Sequence, residues 1–407
     1  MYSMEKNSTC VIDVSKEFTS TSPIFINKKS LQIVYPKINS PKSLSFQSGD
    51  ELILQCLGGH LTKSNSSTGS TSEFSRCTRN GTISSSTSTP NQPLPLEQLG
   101  CSKTPEPTVR QFGSCNEGQA VEIGYKIGTE IFRRTVDLCY IGKLASTSWA
   151  HSKIPAIVGG VKSKDGASTS FAKGPFFTNV VIGQVYPQKN QLQTFINLFG
   201  GDNDTVEKYL PQNGPHKNYL VKGHLVARAD LFYPAEQLST YFYVNVLPMW
   251  QSVNNGNWKS VESIVRRTAS RSSTDLDVWT GGLGILEYDS KPIYLSQNRK
   301  NSSQKLVPVP KLLFKLVMDL TSKRGLVFVT ANDPHIVEGQ PLPGDYRMCP
   351  MKELQVCEEN RFKQLKQSFE GRTYCCSVDD FLAHEAVRRI GIPLDFKDQR
   401  VEILELF

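Results

Sequence analysis

Short apolar runs bounded by turn residues, rather than long helical repeats, dominate the hydrophobic pattern of the chain. The run at 31–35 is rich in β-forming residues, and the run at 51–56 is largely apolar. Both predict short strands, with a turn at 47–50 between them. Residues 64–92 are mostly Ser, Thr, Gly and Asn and predict a solvated loop, whereas the prolines of 90–110 predict a linker.

From about residue 140 the pattern becomes that of a conventional mixed domain. The runs at 180–182, 241–246 and 325–330 predict buried strands, and 254–268 predicts a helix. These elements follow each other without a regular alternation of strand and helix. The pattern therefore favours an α+β fold over a doubly wound sheet.

The cysteines divide the chain into two parts. Six of the ten lie in residues 1–139, where little apolar sequence is available to build a core. We therefore expect a small disulfide-rich β module at 1–130, which includes the loop at 64–92, and a second domain at 131–407.

Near the other end of the chain, Cys375 and Cys376 are neighbours and cannot pair with each other without strain. Each is therefore expected to bridge a different partner, such as Cys349 or Cys357.

Sequons for N-glycosylation agree with the cysteines in predicting an oxidising, secretory history. The acceptors are Asn7, Asn65, Asn80, Asn203 and Asn301. The first residues contain no apolar signal core, so we expect that a signal segment has been removed from a secreted, glycosylated protein. The alternative is a cytosolic protein with ten free thiols.

Charge is concentrated in one stretch. The 407 residues include 46 Lys plus Arg and 38 Asp plus Glu, a net charge of +8. In 217–273, seven cations and three acids leave 7 − 3 = +4. Such an excess fits a phosphodiester backbone, although a solvated basic face is the alternative. No apolar run of ~18 residues is present, so no membrane span is expected.

Two short segments of this basic stretch carry candidate chemistry. His224 follows Gly223 at the end of an apolar run, and Asn254 opens the predicted helix. At ~100° per residue, Asn254 shares a broad helical face with Trp258, Glu262 and Arg266. A lone histidine is usually structural, and asparagine is a common helix cap. A stripe of amide, carboxylate and guanidinium is nevertheless unusual on a face that is merely solvated.

The spacing Asn-x-x-Pro-x-x-x-x-x-Asn-x-Gly-x-Trp-x-x-x-Glu-x-x-x-Arg, from Asn245 to Arg266, resembles the DNA/RNA non-specific endonucleases of the Serratia nuclease type. Strand, Gly-His, loop and Asn-helix follow in the order of the ββα-metal, or His-Me finger, arrangement. The similarity is closest to secreted arthropod members from salivary or digestive fluids. It implies a ββα-metal core with a central antiparallel sheet flanked by helices, beside the disulfide-stapled β module.

The resemblance also implies roles for single residues. His224 would be the general base, and Asn254 would be the protein ligand of a hydrated Mg2+ or another divalent ion such as Mn2+. Glu262 would hold metal-bound water, and Arg266 would offset phosphate charge or orient Glu262. Asn245 would support the site, although a turn-forming role at a strand end fits it equally well.

The expected partners are DNA and RNA, bound without sequence preference because the sequence contains no base-reading motif. The residues expected to contact nucleic acid are Lys222, Arg228, Lys259, Arg266, Arg267 and Arg271.

Two positions depart from the family pattern. Lys222 stands where the family has arginine before Gly-His, and Leu247-Pro248-Met249 stands where Ala-Pro-Gln is common. Lysine keeps the charge but lacks the planar pair of donors, so we expect a nuclease with attenuated turnover. The alternatives are a high-affinity, sequence-independent binder with residual or no cleavage and a secreted structural or adhesive glycoprotein.

Overall fold

The structure is a computed structural model. It describes residues 9–14, 19, 21–63, 66–85, 99–127, 131–159, 170–214, 216–301, 303–350, 357, 360–394 and 400–407. The sequons at Asn7 and Asn65 lie outside these ranges, whereas Asn80, Asn203 and Asn301 are exposed.

Short antiparallel strands build the part of the chain between residues 9 and 101, which we call the N-terminal module. They are β1 (Thr9–Asp13), β2 (Ile24–Asn27), β3 (Ser43–Gln47), β4 (Glu51–Gln55), β5 (Leu61–Lys63), β6 (Ser66–Ser67), β7 (Ser72–Cys77), β8 (Ile83–Ser85) and β9 (Leu99–Cys101). A four-stranded sheet has the order β2-β4-β7-β8, and β1-β3 and β6-β5-β9 form two smaller sheets. The strand predicted at 51–56 is confirmed by β4.

Disulfides join these small sheets, as the cysteine count predicts. Cys10 bonds Cys77 and Cys56 bonds Cys101 within the module. Both bonds lie in one apolar cluster with residues such as Leu44, Leu52 and Leu54. Because a cross-link restricts the unfolded chain, such bonds stabilise a region whose core is small.

Two predictions for this region are wrong. The expected loop at 64–92 contains β6, β7 and β8, and the alternate residues Glu73, Ser75 and Cys77 of β7 are buried. The buried face of β7 is largely polar, so the period of two does not show as an apolar pattern. The strand expected at 31–35 is a single bridge between Ile33 and Ile26, because the Asn27 side chain accepts backbone hydrogen bonds that turn the chain just before it.

A large sheet forms the centre of the molecule. Its strands are β10 (Thr108–Cys115), β11 (Gly118–Ile127), β12 (Ile131–Ile141), β13 (Ser146–Ile154), β16 (Leu276–Leu283), β21 (Leu312–Asp319), β22 (Arg324–Ala331), β23 (Thr373–Cys376) and β24 (Glu402–Ile403). The order β10-β11-β12-β13-β16-β21-β22-β23 is antiparallel throughout, and β24 pairs with β22 in parallel. The sheet begins at residue 108, before the domain boundary predicted at 130, and β22 confirms the strand predicted at 325–330.

The remaining strands are short pairs outside this sheet. They are β14 (Leu220–His224), β15 (Val246–Trp250), β17 (Glu287–Tyr288), β18 (Lys291–Pro292), β19 (Tyr294–Gln297) and β20 (Lys305–Pro308). The described helices are α1 (Gln188–Leu198), α2 (Asn203–Tyr209), α3 (Pro234–Leu238), α4 (Gln251–Val253), α5 (Lys259–Ser272), α6 (Val378–Ala383) and α7 (Glu385–Ile390). None of the described helices has the length and apolarity needed to cross a bilayer.

Helices cover both faces of the large sheet, so the α+β architecture with a central antiparallel sheet is confirmed. On one face, Val261, Ile264 and Val265 of α5 are fully buried in a cluster that includes Val278 and Val317 of the sheet. The opposite face packs against α6 and α7. Because neighbouring residues of a strand point to opposite faces, these two clusters draw on alternate positions of the same strands.

Two further strands predicted from apolar runs are absent. Val180 and Ile182 are buried, but the chain there forms a short 3-10 turn at Ile182–Gln184. The run at 241–246 forms another such turn at Tyr243–Asn245 before β15 begins. In both places side chains enter a core, but the backbone does not extend into a strand: at 241–246 a single bridge joins Phe242 to Ala172.

The adjacent cysteines of β23 pair as the sequence predicts. Cys376 bonds Cys349 and Cys375 bonds Cys357. Every cysteine of the chain is in a disulfide, since Cys115 also bonds Cys139.

The N-terminal module shares its apolar cluster with residues that follow β14. Phe232, Tyr233 and Ala235 belong to that cluster. The Tyr35 hydroxyl donates to Glu236 Oε1 at 2.6 Å, and the Tyr233 hydroxyl donates to the Val34 carbonyl. The module is therefore packed against the segment that connects β14 to β15.

Candidate active site

The hairpin of β14 and β15 positions the candidate histidine. The strands are antiparallel, with Gly223 opposite Leu247 and His224 opposite Val246. A Cβ atom at position 223 would lie 2.1 Å from Met249 Sδ, so any larger residue would displace this buried methionine side chain. The close packing places His224 at the end of β14, where the chain leaves the hairpin.

Asn245 fixes the segment between the two strands. Its fully buried side chain donates to the carbonyls of Val226 and Thr240 and accepts from the Val226 amide. These bonds tie the chain that follows the histidine to the segment that leads into β15. These contacts fit the turn-forming role, whereas a supporting role of Asn245 in the site stays a prediction.

His224 lies among aromatic rings. The rings of Phe171 and Tyr241 have centroids 5.1 and 5.3 Å from the imidazole. The Nε2 atom is buried and has no hydrogen-bond partner among the described residues. Burial lowers the pKa of His224 to about 4, an effect that the Asp230 charge opposes and the Lys222 charge reinforces. The imidazole is therefore neutral at pH 7 and able to accept a proton.

Lys222 points to the same aromatic group. Its Nζ atom lies 4.8 Å from the centroid of Phe171 and 5.8 Å from that of Tyr243. A cation over an aromatic face is attracted by the ring quadrupole. Lys222 and His224 are thus two residues apart on one strand and share Phe171 as a neighbour.

The candidate metal ligand lies at the start of the long helical segment. Asn254–Trp258 forms a π-helical turn between α4 and α5, with Gly256 in a non-helical conformation. A Cβ atom on Gly256 would lie 2.6 Å from Glu370 Cβ, so glycine lets the turn approach the Glu370 backbone. The helix predicted at 254–268 is confirmed from Lys259 onward, after this irregular turn.

In the Asn254 side chain, the amide nitrogen donates a hydrogen bond, and the amide oxygen is the group that could bind a metal ion. Nδ2 donates to Asn255 Oδ1 at 3.2 Å, and the side chain is half-buried. An amide oxygen is a donor that Mg2+ accepts. Among the described residues, no group of three or more His, Cys, Asp and Glu side chains is arranged to hold a metal ion.

A cluster of buried charges lies beside Glu262 on α5. Arg266 Nη1 is 2.7 Å from Asp230 Oδ1 and 3.8 Å from Glu262 Oε2. Burial and the Asp230 charge together raise the pKa of Glu262 to about 7, against the opposing charges of Lys315, Arg266 and Lys259. The arginine therefore bridges two carboxylates, the nearer of which is Asp230.

Lys315 of β21 completes this cluster. Its side chain is fully buried, and Nζ donates to Thr280 Oγ1 at 2.8 Å and lies 5.3 Å from the centroid of Trp258. Burial lowers the pKa of Lys315, although the charges of Asp230 and Glu262 raise it in part. The polar stripe of α5 therefore faces the sheet rather than solvent.

The residues proposed for nucleic-acid contact differ in exposure. Lys259, Arg267 and Arg271 are exposed on α5. Arg266 is 18% exposed and paired with carboxylates, and Arg228 donates through Nε to Gln237 Oε1 at 3.1 Å. The structure thus divides these cations into three on the surface of α5 and others held by neighbours.

The sequence did not single out Asp230, Lys315 or Phe171. Asp230 lies six residues after His224, and in the sequence it stands out only as one of the three acids of 217–273. Lys315 lies within an apolar strand, and a lysine between leucine and phenylalanine is a signal of a buried charge. Phe171 has no pattern that points to His224, because the two meet only through the fold.

A family model for DNA/RNA non-specific endonucleases matches residues 116–381. The chain belongs to this family. The resemblance drawn from the sequence motifs is therefore confirmed, and the matched range contains β14, β15 and α5.

Two similar proteins come from insect saliva. The chain is 27% identical over 347 residues to salivary protein Tsal2A of Glossina morsitans morsitans, covering 84% of this chain and 81% of that protein. It is 27% identical over 315 residues to a salivary endonuclease of Lutzomyia longipalpis, covering 74% and 70%.

Among solved structures, the chain is similar to one from the crystal structure of the EndoG/EndoGI complex. The TM-score is 0.33 at 18% identity, and the match covers 53% of this chain and 80% of the other.

Proposed function

We propose that this family member is a secreted endonuclease that hydrolyses phosphodiester bonds of DNA and RNA without reading their sequence. The observation that carries the proposal is the Nε2 atom of His224, which is buried and has no hydrogen-bond partner in the described part of the chain. Unpaired buried polar atoms are uncommon in native proteins, and one on a neutral imidazole suits a general base. Its place beside Lys222 supplies a positive charge for a phosphate.

The residues of the chain contribute a proton acceptor and charge stabilisation to the proposed hydrolysis. His224 Nε2 takes a proton from the attacking water, whose oxygen forms the new bond to phosphorus. The bond from phosphorus to the leaving oxygen breaks, and that oxygen receives a proton from solvent. Lys222 offsets negative charge on the phosphate, and the Asp230–Arg266 pair holds Glu262 in place.

A divalent cation, Mg2+ or an ion such as Mn2+, fits the donor set. Asn254 would hold it through the amide oxygen, and Glu262 would accept hydrogen bonds from its water ligands. When bound, such an ion supplies charge neutralisation at the phosphate and at the leaving oxygen. The hydrogen bond from Asn254 Nδ2 to Asn255 supports this orientation of the amide.

Binding of the polyanion is assigned to cations near the hairpin and on α5. Lys259, Arg267 and Arg271 are exposed and supply charge that does not depend on sequence. Lys222 and Arg228 lie closer to His224 in the chain. Arg266 has a different part in this proposal, because its contacts are with Asp230 and Glu262.

Attenuated turnover is part of the proposal. Lys222 contacts the rings of Phe171 and Tyr243, and a lysine cannot donate the paired hydrogen bonds of an arginine. Losing one such donor costs ~10²–10³ in rate, while affinity that rests on many phosphate contacts changes little. The same observation favours the second candidate, a nucleic-acid binder with residual or no cleavage.

Secretion is supported by the fully paired cysteines and by exposed sequons. The similar proteins Tsal2A and the Lutzomyia enzyme are named as salivary. We therefore place this protein in a secreted fluid, with saliva as the first fluid to examine.

Plasmid relaxation and a mobility shift test the proposal together. The purified protein is expected to nick supercoiled DNA and to degrade RNA with Mg2+ but not with EDTA. Binding without any nicking would select the second candidate. A protein that neither cuts nor shifts nucleic acid at 50 mM salt, where polyanion binding is strong, would reject both.

A further inference from the structure

The large sheet carries a second group of charges on the side away from α5. In β16, Val278 lies in the cluster under α5, whereas its neighbours Asp277 and Trp279 point to the opposite side. His151 of β13 stacks on Trp279 with ring centroids 4.3 Å apart. The polar side of the sheet continues from there across β12 and β11 to β10, which is the edge strand.

At this edge, two arginines bind one carboxylate, and each arginine also lies over the ring of a phenylalanine. Arg110 Cζ lies 4.0 Å from the centroid of Phe132, and Arg134 Cζ lies 4.1 Å from that of Phe112. Both arginines donate through Nε to Glu122, at 2.8 and 2.7 Å. The carboxylate thus holds two guanidinium planes in fixed positions on two rings. With exposed Lys126, these residues form what we call the cationic face.

The cations of this face are exposed to solvent, whereas its carboxylate is buried. The side chains of Arg110 and Arg134 are 52% and 41% exposed, whereas that of Glu122 is 4% exposed. Phe112 is 45% exposed. Three cations and one acid leave a charge of 3 − 1 = +2, and the negative charge lies beneath the positive ones.

We propose that the cationic face is a second nucleic-acid contact surface, which binds an unpaired segment of a strand. Rings and guanidinium planes at fixed positions are platforms for bases, and the exposed cations pair with phosphates. The inference rests on the proposed function only in taking nucleic acid as the ligand. The face lies across the sheet from α5, so it is separate from the cations of that helix.

A similar pair in the N-terminal module provides a matched control. Lys28 Nζ lies 5.0 Å from the centroid of Phe74, which is 44% exposed. Its partner Glu51 has a side chain that is 42% exposed, so the acid is presented to solvent with the cation. Glu51 also bonds Arg76 Nη2 at 2.9 Å, so two cations share one exposed acid, and we expect this group to attract a polyanion less than the cationic face does.

The experiment measures affinity for a fluorescent 20-nucleotide oligo(dT) by anisotropy, in EDTA, with the full chain carrying His224→Ala. Phe112→Ala and Arg134→Ala are each expected to weaken binding roughly tenfold. Arg134→Ala should also reduce the slope of log affinity against log salt by about 0.7. Phe74→Ala should bind like the parent. Phe112→Leu, which keeps apolar bulk without a ring, should weaken binding as alanine does, and melting temperatures verify folding.

The outcomes separate this inference from the proposed function. Parent-like binding by Phe112→Ala and Arg134→Ala would overturn the second surface, even if the wild-type chain cuts plasmid with Mg2+. An equal loss of affinity for heparin in Phe112→Ala would overturn base stacking, because heparin has no bases. A parent that fails to bind oligo(dT) while the wild-type chain also fails to cut would reject both proposals.

Discussion

His151 and His224 are both half-buried on strands, and their surroundings differ in one respect. Both ring nitrogens of His151 are hydrogen bonded, Nδ1 to Asp137 at 3.0 Å and Nε2 to Asp277 at 3.1 Å. Burial lowers the pKa of His151, but these two bonds and the charges of both carboxylates outweigh it and raise the pKa to about 9. His224 has aromatic neighbours instead, and its pKa falls to about 4.

Burial alone therefore does not determine what a histidine does in this molecule. The region around His151 satisfies both nitrogens and keeps the ring charged at pH 7, which suits a structural cross-link between β12, β13 and β16. The region around His224 gives Nε2 no hydrogen-bond partner among the residues that the structure describes, and it keeps the ring neutral. A residue whose hydrogen bonds are complete is poorly suited to exchange protons with a substrate.

Replacing His224 should have the largest effect. His224→Ala is expected to lower Mg2+-dependent plasmid nicking by ~10²–10⁴, because the general base is lost, while gel-shift affinity stays near that of wild type. His216→Ala, at an exposed histidine, is the control and should cut normally. Wild-type cutting by His224→Ala would show that the base is another residue.

Lys222→Arg should have the next largest effect, and in the opposite direction. We expect turnover to rise by ~10², since a guanidinium can donate two parallel hydrogen bonds to a phosphate. Lys217→Arg, at an exposed lysine of the same stretch, should leave turnover unchanged. Equal turnover in Lys222→Arg and wild type would mean that the lysine does not limit the reaction.

His151→Gln should change the pH dependence of stability. The folded pKa of about 9 exceeds the unfolded value of about 6.5. The native state therefore binds more protons between these values, and this stability, about 3 kcal/mol, is present below pH 6.5 and lost as pH rises through 9. Glutamine does not titrate, so the difference in melting temperature between wild type and variant should shrink across this window. A constant difference would contradict the ion triad.

His224→Gln should change the slope on the acid side, with the smallest effect. Here the folded pKa of about 4 is below the unfolded value, so the unfolded chain binds more protons as pH falls. Stability is therefore lost with falling pH, by about 2 kcal/mol between pH 6.5 and 5. The variant should lose less stability than wild type over that range. Parallel melting curves for the two proteins would show that His224 is not held neutral.

The sequence predicted those parts of the fold that are encoded locally. The strands at β4 and β22 and the helix α5 follow from apolar period, and the pairing of Cys375 and Cys376 with separate partners follows from covalent geometry. Motif spacing also indicated the family. The strands in 64–92 escaped notice because the buried face of β7 is largely polar and its phenylalanine is exposed. The segment 31–35 is a loop because a single Asn27 side chain turns the backbone.

For the candidate site, the sequence named residues but not their partners. The spacing of the motif identifies four candidate residues, which are His224, Asn254, Glu262 and Arg266. The bond from Arg266 to Asp230 spans 36 residues, and Lys315 reaches the cluster from a distant strand. Such contacts arise from the order of strands in the large sheet, which no local pattern encodes.

The packing of the N-terminal module on the β14–β15 connection limits how the chain can be divided. The family match begins at residue 116, yet Phe232, Tyr233 and Ala235 are covered by a cluster whose other members include Ile24, Phe25 and Leu52. A fragment trimmed to the matched range would display this aromatic patch to water, beside the strand that ends in His224. Such a fragment is expected to aggregate through this patch. A rearranged gene that separates the two parts would encode a protein with the same exposed patch.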